Sequence, residues 1–173
     1  MSNGTKVNKR NGSIEPLNLE KIHKMVELAC DGLAGVSSSQ VEINSGLQFY
    51  DGISTKEIQE ILIRSASDLI DLDAPNYQYV AARLLLFSLR KQLYGVQFDH
   101  PTLFAHINKC VEQEVYDGEV LHKYTQEEID GLGDYLDHER DFLFTYAGLR
   151  QVTDKYLVPV SYTHLTLPTI LLV

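Results

Sequence analysis

Residues 7–22 constrain the fold more than any other part of the chain, because they combine a tight turn with a helix start. Asn11-Gly12 is the dipeptide most typical of a two-residue β-hairpin loop of type I′, in which both residues adopt positive φ angles. A preferred N-cap residue, Asn18, precedes apolar residues at helical spacing: Ile22, Met25, Val26 and Ala29. Since a lone hairpin is marginally stable, the sequence predicts a hairpin packed on the helices that follow.

Four helices are predicted after the hairpin, at about residues 19–33, 39–49, 54–72 and 75–95. Ser54-x-x-Glu57 has capping-box spacing at the start of the third helix, and Pro75 suits the first turn of the fourth. Tyr50-Asp51-Gly52 is typical of a turn.

Three further helical segments are expected farther along, at about residues 102–114, from Thr125, and at 142–156. We therefore predict a mainly α fold, in which a four-helix bundle is capped by a short N-terminal β-hairpin and followed by a partial all-helical domain.

The formal net charge of −9 is unevenly distributed. Residues 1–95 carry ten basic and eleven acidic side chains, whereas residues 96–173 carry five and thirteen. Nucleic acid is therefore a poor partner for the second half. The first 24 residues hold five basic and two acidic side chains, which favours a small anion there.

Several function classes find no support in the sequence. Cys30 and Cys110 match no metal-ligand spacing and are expected to be buried structural thiols. No signal peptide and no apolar run of about 18 residues is visible, which predicts a cytoplasmic protein without a membrane span. No glycine-rich phosphate loop or paired-histidine motif appears. We expect neither a catalytic residue nor a metal site, and we interpret residues 137–141 as a solvated helix start.

A cationic hairpin over a helix start suits a nucleotide polyphosphate. Lys9 could project inward to a phosphate, and Thr55 combines a hydroxyl with the N–H groups of a helix start. Lys91, near the end of the fourth helix, would add a charge, since the end of one antiparallel helix can lie beside the start of another. Each also has a purely structural interpretation: a solvated lysine, a capping threonine and a cation that stabilises the helix dipole.

The base and ribose would need different groups. Glu15 and Asn18 can hydrogen-bond the adenine edge or the ribose, while Val7 and Ile22 could flank a flat base. The structural alternatives are that Glu15 balances Lys9 across the hairpin and that Asn18 only caps the helix.

These residues resemble the opening of an ATP-cone, the nucleotide-sensing domain at the N-terminus of many ribonucleotide reductase large subunits. The resemblance continues through residues 49–55, 73–84 and 89–91, and it covers about residues 5–95. Residues 96–158 are similar to the truncated start of the helical domain that precedes the catalytic barrel in class I large subunits. The resemblance implies an enzyme in its full-length form and an inactive fragment here, without the barrel or a redox cofactor.

The resemblance also implies regulation by ATP, which activates, and dATP, which inhibits, each bound with Mg. The implied partners are the small radical-bearing beta subunit and further copies of the large subunit. The implied nucleotide contacts are Lys9, Glu15, Pro16, Leu17, Asn18, Leu19, Glu20, Lys21, Thr55 and Lys91. A wider set adds Val7, Arg10, Ile22, Gln59 and Ser88.

Two departures from the family pattern bear on the effector. Some relatives carry His at the positions of Gln59 and Ser88, so effector discrimination and the number of bound nucleotides could differ here. Pro16 stands where longer polar residues occur in the family.

Two alternative functions stay open. The first is an ATP-cone transcriptional repressor of reductase genes, although such repressors carry a cysteine-rich zinc ribbon and this chain has only two cysteines. The second is a helical interaction module with a degenerate nucleotide pocket.

The final residues, 159–173, resemble one translated frame of a sequencing adapter. The alternative is an alternating β-strand ended by Pro168. We favour a non-native tail, because the resemblance to reductase large subunits stops where this segment begins, and we exclude it from fold reasoning.

Overall fold

A computed structural model describes residues 5–95 and 98–156, which form two compact units. The first unit comprises residues 5–88 and 144–147, and the second comprises residues 89–95, 98–143 and 148–156. The predictions for the tail at 159–173 lie outside the described residues. No helix within the described ranges is long and apolar enough to cross a membrane.

The chain forms short strands and helices in an order that confirms the predicted fold class, mainly α with a small N-terminal sheet. In chain order these are β1 (Lys6–Asn8), β2 (Ile14–Pro16), α1 (Leu19–Cys30), α2 (Ser38–Gly46), β3 (Ile53–Ser54), α3 (Thr55–Ser67) and α4 (Tyr77–Tyr94). They are followed by α5 (Leu103–Glu112), α6 (Glu119–Lys123), α7 (Gln126–Gly133), a 3-10 helix (His138–Leu143) and α8 (Tyr146–Lys155).

Sequence reasoning predicted a two-stranded hairpin, but the structure adds a third strand. The sheet order is β2-β1-β3: β2 pairs antiparallel with β1, and β3 pairs parallel with it. Val7 lies opposite Glu15 on one side and Ile53 on the other. Strand β3 is only two residues long, so its apolar pattern is too short to distinguish it from a turn.

The hairpin loop differs from the type I′ prediction. Lys9 N–H donates to the Ser13 carbonyl at 2.8 Å, and Gly12 N–H donates to the Lys9 carbonyl at 2.9 Å. Gly12 has a φ of +81°, whereas Asn11 is not left-handed. The Asn11 side chain instead accepts the Ser13 N–H at 3.0 Å. The loop thus follows the three-residue pattern, in which a turn is followed by one left-handed glycine.

The helix caps form as predicted, although the first three helices are shorter than expected. Asn18 Oδ1 accepts the Lys21 N–H at 3.0 Å, and Ser54 forms a capping box with Glu57. Helix α1 ends at Cys30, before Gly32 (φ +69°). The fourth helix begins at Tyr77, so Pro75 lies in the turn before it rather than in its first turn.

The core of the first unit joins one face of each helix to the sheet. The Tyr77 hydroxyl of α4 donates to Gln40 at 2.6 Å, and Arg83 donates to the Asp31 carbonyl, just past the end of α1, at 2.6 Å. The buried apolar residues include Val7, Ile22, Met25, Val26, Ala29, Val41, Ile53, Ile58, Leu62, Ala66, Val80, Leu84 and Phe87. The predicted stripe of α1 is therefore buried in full.

In the second unit, a buried ion pair corrects the interpretation of residues 137–141 as wholly solvated. Arg90 Nη2 donates to Asp141 Oδ2 at 2.8 Å, and the two side chains are only 9% and 6% exposed. The Arg90 guanidinium also lies 5.6 Å from the centre of the Phe142 ring. Asp141 therefore faces the interior, because the 3-10 helix turns one carboxylate of the charged run inward.

Helix α6 was not predicted, while the capping box that opens α7 at Thr125 and Glu128 is confirmed.

Cys110 is buried, as expected. Cys30 is half-buried, and burial raises the pKa of its thiol to about 11.

Replacing Gly12 with alanine should destabilise the hairpin by about 1 kcal/mol, because a side chain disfavours the left-handed conformation. An added Cβ at Gly12 meets nothing within 4 Å, so the cost comes from the backbone. Gly46→Ala, at the end of α2 and equally uncrowded, is the matched control and should not reduce stability. Denaturant unfolding of both variants measures the difference; equal midpoints would contradict the assigned loop.

Asp141→Asn should lower the unfolding free energy of the second unit by about 3 kcal/mol, because it leaves the Arg90 charge buried without a counter-ion. The control is Asp154→Asn, which removes a carboxylate from an exposed pair with Arg150 at 3.8 Å and should change little. Native-state hydrogen exchange of α5 amides distinguishes the two variants. Similar protection in both would show that the Arg90–Asp141 pair is not important for stability.

Candidate functional site

The parallel pairing of β1 with β3 brings the hairpin turn to the start of α3. Asn8 lies opposite Ser54 in the register. Lys9 directly follows β1 and Thr55 directly follows β3, so the two residues lie at the same edge of the sheet. Adjacent strands are about 4.8 Å apart. Two residues that the sequence placed 46 positions apart are thus neighbours in the fold.

Lys9 and Glu15 form an ion pair on the inner face of the hairpin. The Lys9 Nζ lies 2.7 Å from Glu15 Oε1, and the two side chains are 37% and 45% exposed. Glu15 lies opposite buried Val7 in the register, so it shares the helix-facing side of the sheet. The structural alternative for Glu15, balancing Lys9 across the hairpin, is therefore observed. Both side chains remain partly exposed and therefore accessible to a ligand.

Arg10 connects the hairpin loop to two helices through Gln59. Its Nη2 donates to Gln59 Oε1 at 2.8 Å, and the Ser88 hydroxyl donates to the same oxygen at 3.3 Å. Gln59 and Ser88 are 7% and 5% exposed. The two positions that depart from the family pattern thus contact each other. The sequence indicated only that Gln59 follows Thr55 by one helical turn.

The run from Pro16 to Lys21 lies at the opposite edge of the sheet. Leu17 N–H donates to the Thr5 carbonyl at 2.9 Å, next to the start of β1. Asn18 caps α1, and the side chains of the next three residues, Leu19, Glu20 and Lys21, are exposed. A ligand that contacts both edges must span the three residues of β2, about 10 Å.

Val7 and Ile22, expected to flank a base, are 5% and 8% exposed and belong to the core of the first unit.

Lys91 belongs to the second unit, where its Nζ donates to the Gly95 carbonyl at 2.5 Å. This contact at the end of α4 agrees with its structural interpretation as a cation that stabilises the helix terminus. Its contact with a phosphate stays a prediction.

The first turn of α3 carries an ionised acid as well as N–H groups. Hydrogen bonds from the Ser54 N–H, the Ser54 hydroxyl and the Tyr50 hydroxyl lower the pKa of Glu57. An anion that approaches Thr55 therefore meets the Glu57 carboxylate in the same turn. The Glu57 charge opposes the partial positive charge of the helix start, and Lys9 and Arg10 are the neighbouring cations. Among the described residues, no group of three or more His, Cys, Asp or Glu could hold a metal ion.

Comparison with known families identifies the part of the chain that builds this edge. The family model described as the ATP cone domain matches residues 5–92. The chain belongs to the ATP-cone family. The matched range contains every residue of the predicted nucleotide site, from Val7 to Lys91.

Curated relatives of this ATP-cone chain are reductase subunits. Over 158 residues it is 50% identical to ribonucleoside-diphosphate reductase 1 subunit alpha of Escherichia coli (strain K12). The aligned residues make up 91% of this chain and 21% of the relative. The alpha subunit of Haemophilus influenzae is 49% identical over the same length, and that of Helicobacter pylori (strain J99) is 39% identical over 157 residues. The chain spans about a fifth of the length of these relatives. The resemblance to reductase large subunits is confirmed.

The ATP-cone also holds an imidazole between two carboxylates. His23 Nδ1 lies 2.7 Å from Glu42 Oε1 of α2, and its Nε2 lies 3.1 Å from Glu27 Oε1 of α1. The hydrogen bond with Glu42 is the main cause of a raised His23 pKa. His23 thus links α1 to α2 most strongly when it is protonated.

We expect the stability of the first unit to fall as the pH rises through the raised His23 pKa. The contribution is complete below the ordinary histidine value of 6.5, because the folded state then binds the proton more tightly than the unfolded state. NMR titration of the His23 ring should give a midpoint above that value. His23→Gln should remove this part of the pH dependence; a midpoint at or below 6.5 would contradict the ion pairs.

Proposed function

We propose that residues 5–92 bind ATP and dATP as competing allosteric effectors that regulate ribonucleotide reduction by a reductase large subunit. ATP leaves the enzyme active, and dATP inhibits it. The ATP-cone match and the reductase relatives support a nucleotide-binding regulatory domain. The catalytic step belongs to the full-length reductase, of whose length this chain spans about a fifth.

The observation that carries this proposal is the shared edge of β1 and β3. It places Lys9 beside Thr55, with Arg10 in contact with Gln59 one turn along α3. Cationic side chains, a hydroxyl and helix N–H groups form the donor set that phosphates require. The hairpin from Lys6 to Pro16 carries three cations and one acid, so it attracts an anion even while Glu15 neutralises Lys9.

The base and ribose occupy the other edge in this proposal. Asn18, Glu20 and Lys21 supply polar groups at the start of α1, and Glu15 lies between the two edges. Pro16, Leu17 and Leu19 line the same run. Mg accompanies the triphosphate. ATP and dATP differ by one 2′-hydroxyl, so discrimination depends on groups near the ribose.

Regulation requires that the two effectors favour different states of the parent enzyme. A coupling free energy of about 1–3 kcal/mol per site is typical of such effects. We infer that dATP favours an inactive assembly of large subunits with the beta subunit, because a ligand shifts an equilibrium only through its different affinity for the two states.

Titration of the 173-residue chain with dATP and with ATP in the presence of Mg tests binding directly. Calorimetry should give a saturable signal for both nucleotides, and neither should be hydrolysed. A folded sample that shows neither heat nor an increased melting temperature with either nucleotide would reject the proposal. That result would favour the helical interaction module with a degenerate pocket.

Lys9→Ala should weaken binding of both nucleotides more than Lys24→Ala does. Each variant removes one positive charge from the same region, but only Lys9 lies at the edge beside Thr55. Loss of a charge-assisted contact to phosphate corresponds to roughly tenfold weaker binding, whereas loss of the exposed Lys24 charge should cost less than twofold at physiological salt. Equal effects would place the phosphates elsewhere.

A further inference from the structure

We propose that Gln59 is a positioning residue that holds the hairpin on the helices through Arg10. The proposal deepens the proposed function, since the hairpin carries Lys9. It starts from one oxygen atom, Gln59 Oε1, which accepts from Arg10 at 2.8 Å and from Ser88 at 3.3 Å. We name these three side chains the hairpin latch.

The chemistry of the hairpin latch fixes its orientation. A guanidinium and a hydroxyl proton are donors, and the carbonyl oxygen of an amide has two lone pairs. Gln59 can satisfy both donors only with its oxygen turned toward them. Because Gln59 is 7% exposed, loss of the acceptor would leave a desolvated site that water enters with difficulty.

The hairpin latch joins three separate segments of the first unit. Arg10 lies in the hairpin loop, Gln59 in α3 and Ser88 in α4. The loop is otherwise closed by its own backbone bonds between Lys9, Gly12 and Ser13. Strand β1 is also paired with β3, but β2 pairs with β1 alone over three residues. So short a pair has little stability of its own, and a side-chain contact to the helices should therefore shift the loop and β2 toward the closed position.

Because the acceptor is an amide, the contact between Arg10 and Gln59 does not depend on pH. Gln59 carries no charge between pH 5 and 8, whereas a histidine would become protonated in that range and repel Arg10. The hairpin of this chain should therefore stay closed over the whole range. Nucleotide affinity scales with the fraction of molecules whose site is already assembled, so the hairpin latch raises affinity without touching the ligand.

Hydrogen exchange of the nucleotide-free 173-residue chain tests the hairpin latch. Gln59→Met keeps the side-chain length but removes the acceptor, and it should speed exchange of the Lys9 and Gly12 amides by roughly three- to tenfold. Amides in the middle of α3 should be unchanged. Gln59→Glu keeps an acceptor oxygen and should restore slow exchange. Fast exchange in Gln59→Glu, or no change in Gln59→Met, would overturn the proposal.

A double-mutant cycle separates the contact from a general loss of structure. Arg10→Ala should speed hairpin exchange as much as Gln59→Met does, and the double variant should add little, because both remove the same interaction. Arg64→Ala removes an exposed arginine near the end of α3 and is the charge-matched control. Additive effects would contradict the hairpin latch, and Arg10→Ala alone provides this test if Gln59→Met fails to fold.

Nucleotide titration then distinguishes this proposal from the proposed function. If the unmodified chain binds dATP, Gln59→Met should weaken binding by the factor by which it lowers the closed fraction of the hairpin. That factor is smaller than the increase in hairpin exchange as long as the closed form predominates. If the unmodified chain binds no nucleotide, the proposed function fails, while the exchange experiments still decide whether the hairpin latch exists. Binding that weakens in Gln59→Met without faster hairpin exchange would mean that Gln59 contacts the ligand directly, and positioning through Arg10 would be rejected.

Discussion

The parallel pairing of β1 with β3 is the constraint on which the site depends. Two residues of β3 lead without a break into α3, so their register against β1 also fixes where α3 begins relative to the hairpin. Val7 and Ile53, opposite each other in that register, are both buried, and a slip by one residue would turn these side chains away from the core. Hydrophobic burial thus fixes the separation between a lysine and a helix start.

Charge balance at this edge favours a polyanion over a single carboxylate or phosphate. Glu15 already pairs with Lys9, and Glu57 is ionised in the first turn of α3. A ligand must offer enough negative charge to compete with both acids. The hairpin latch engages Arg10 with a neutral acceptor, which leaves the arginine charge uncompensated. In the proposed site, the Arg10–Gln59 contact therefore joins the hairpin to α3 without neutralising the arginine charge.

The two units depend on different interactions. The first has an extensive apolar core. The apolar residues that are fully buried in the described part of the second unit are few, and its interior contains the Arg90–Asp141 ion pair. Such a pair contributes little net stability when intact but costs much when one partner is lost. Local geometry in the second unit is thus more sensitive to substitution of a charged residue.

The sequence by itself determined the helical fold class, the Asn18 and Ser54 caps and the buried stripe of α1, because these depend on neighbours within one or two turns. It also marked Lys9 and Thr55 as candidates by residue type. Only the tertiary structure decided that β3 exists, that the hairpin loop has three residues, and that Arg10, Gln59 and Ser88 meet. The pairing of β3 and the contacts of Arg10, Gln59 and Ser88 join residues 29 to 49 positions apart, and local periodicity contains no information about such distant partners.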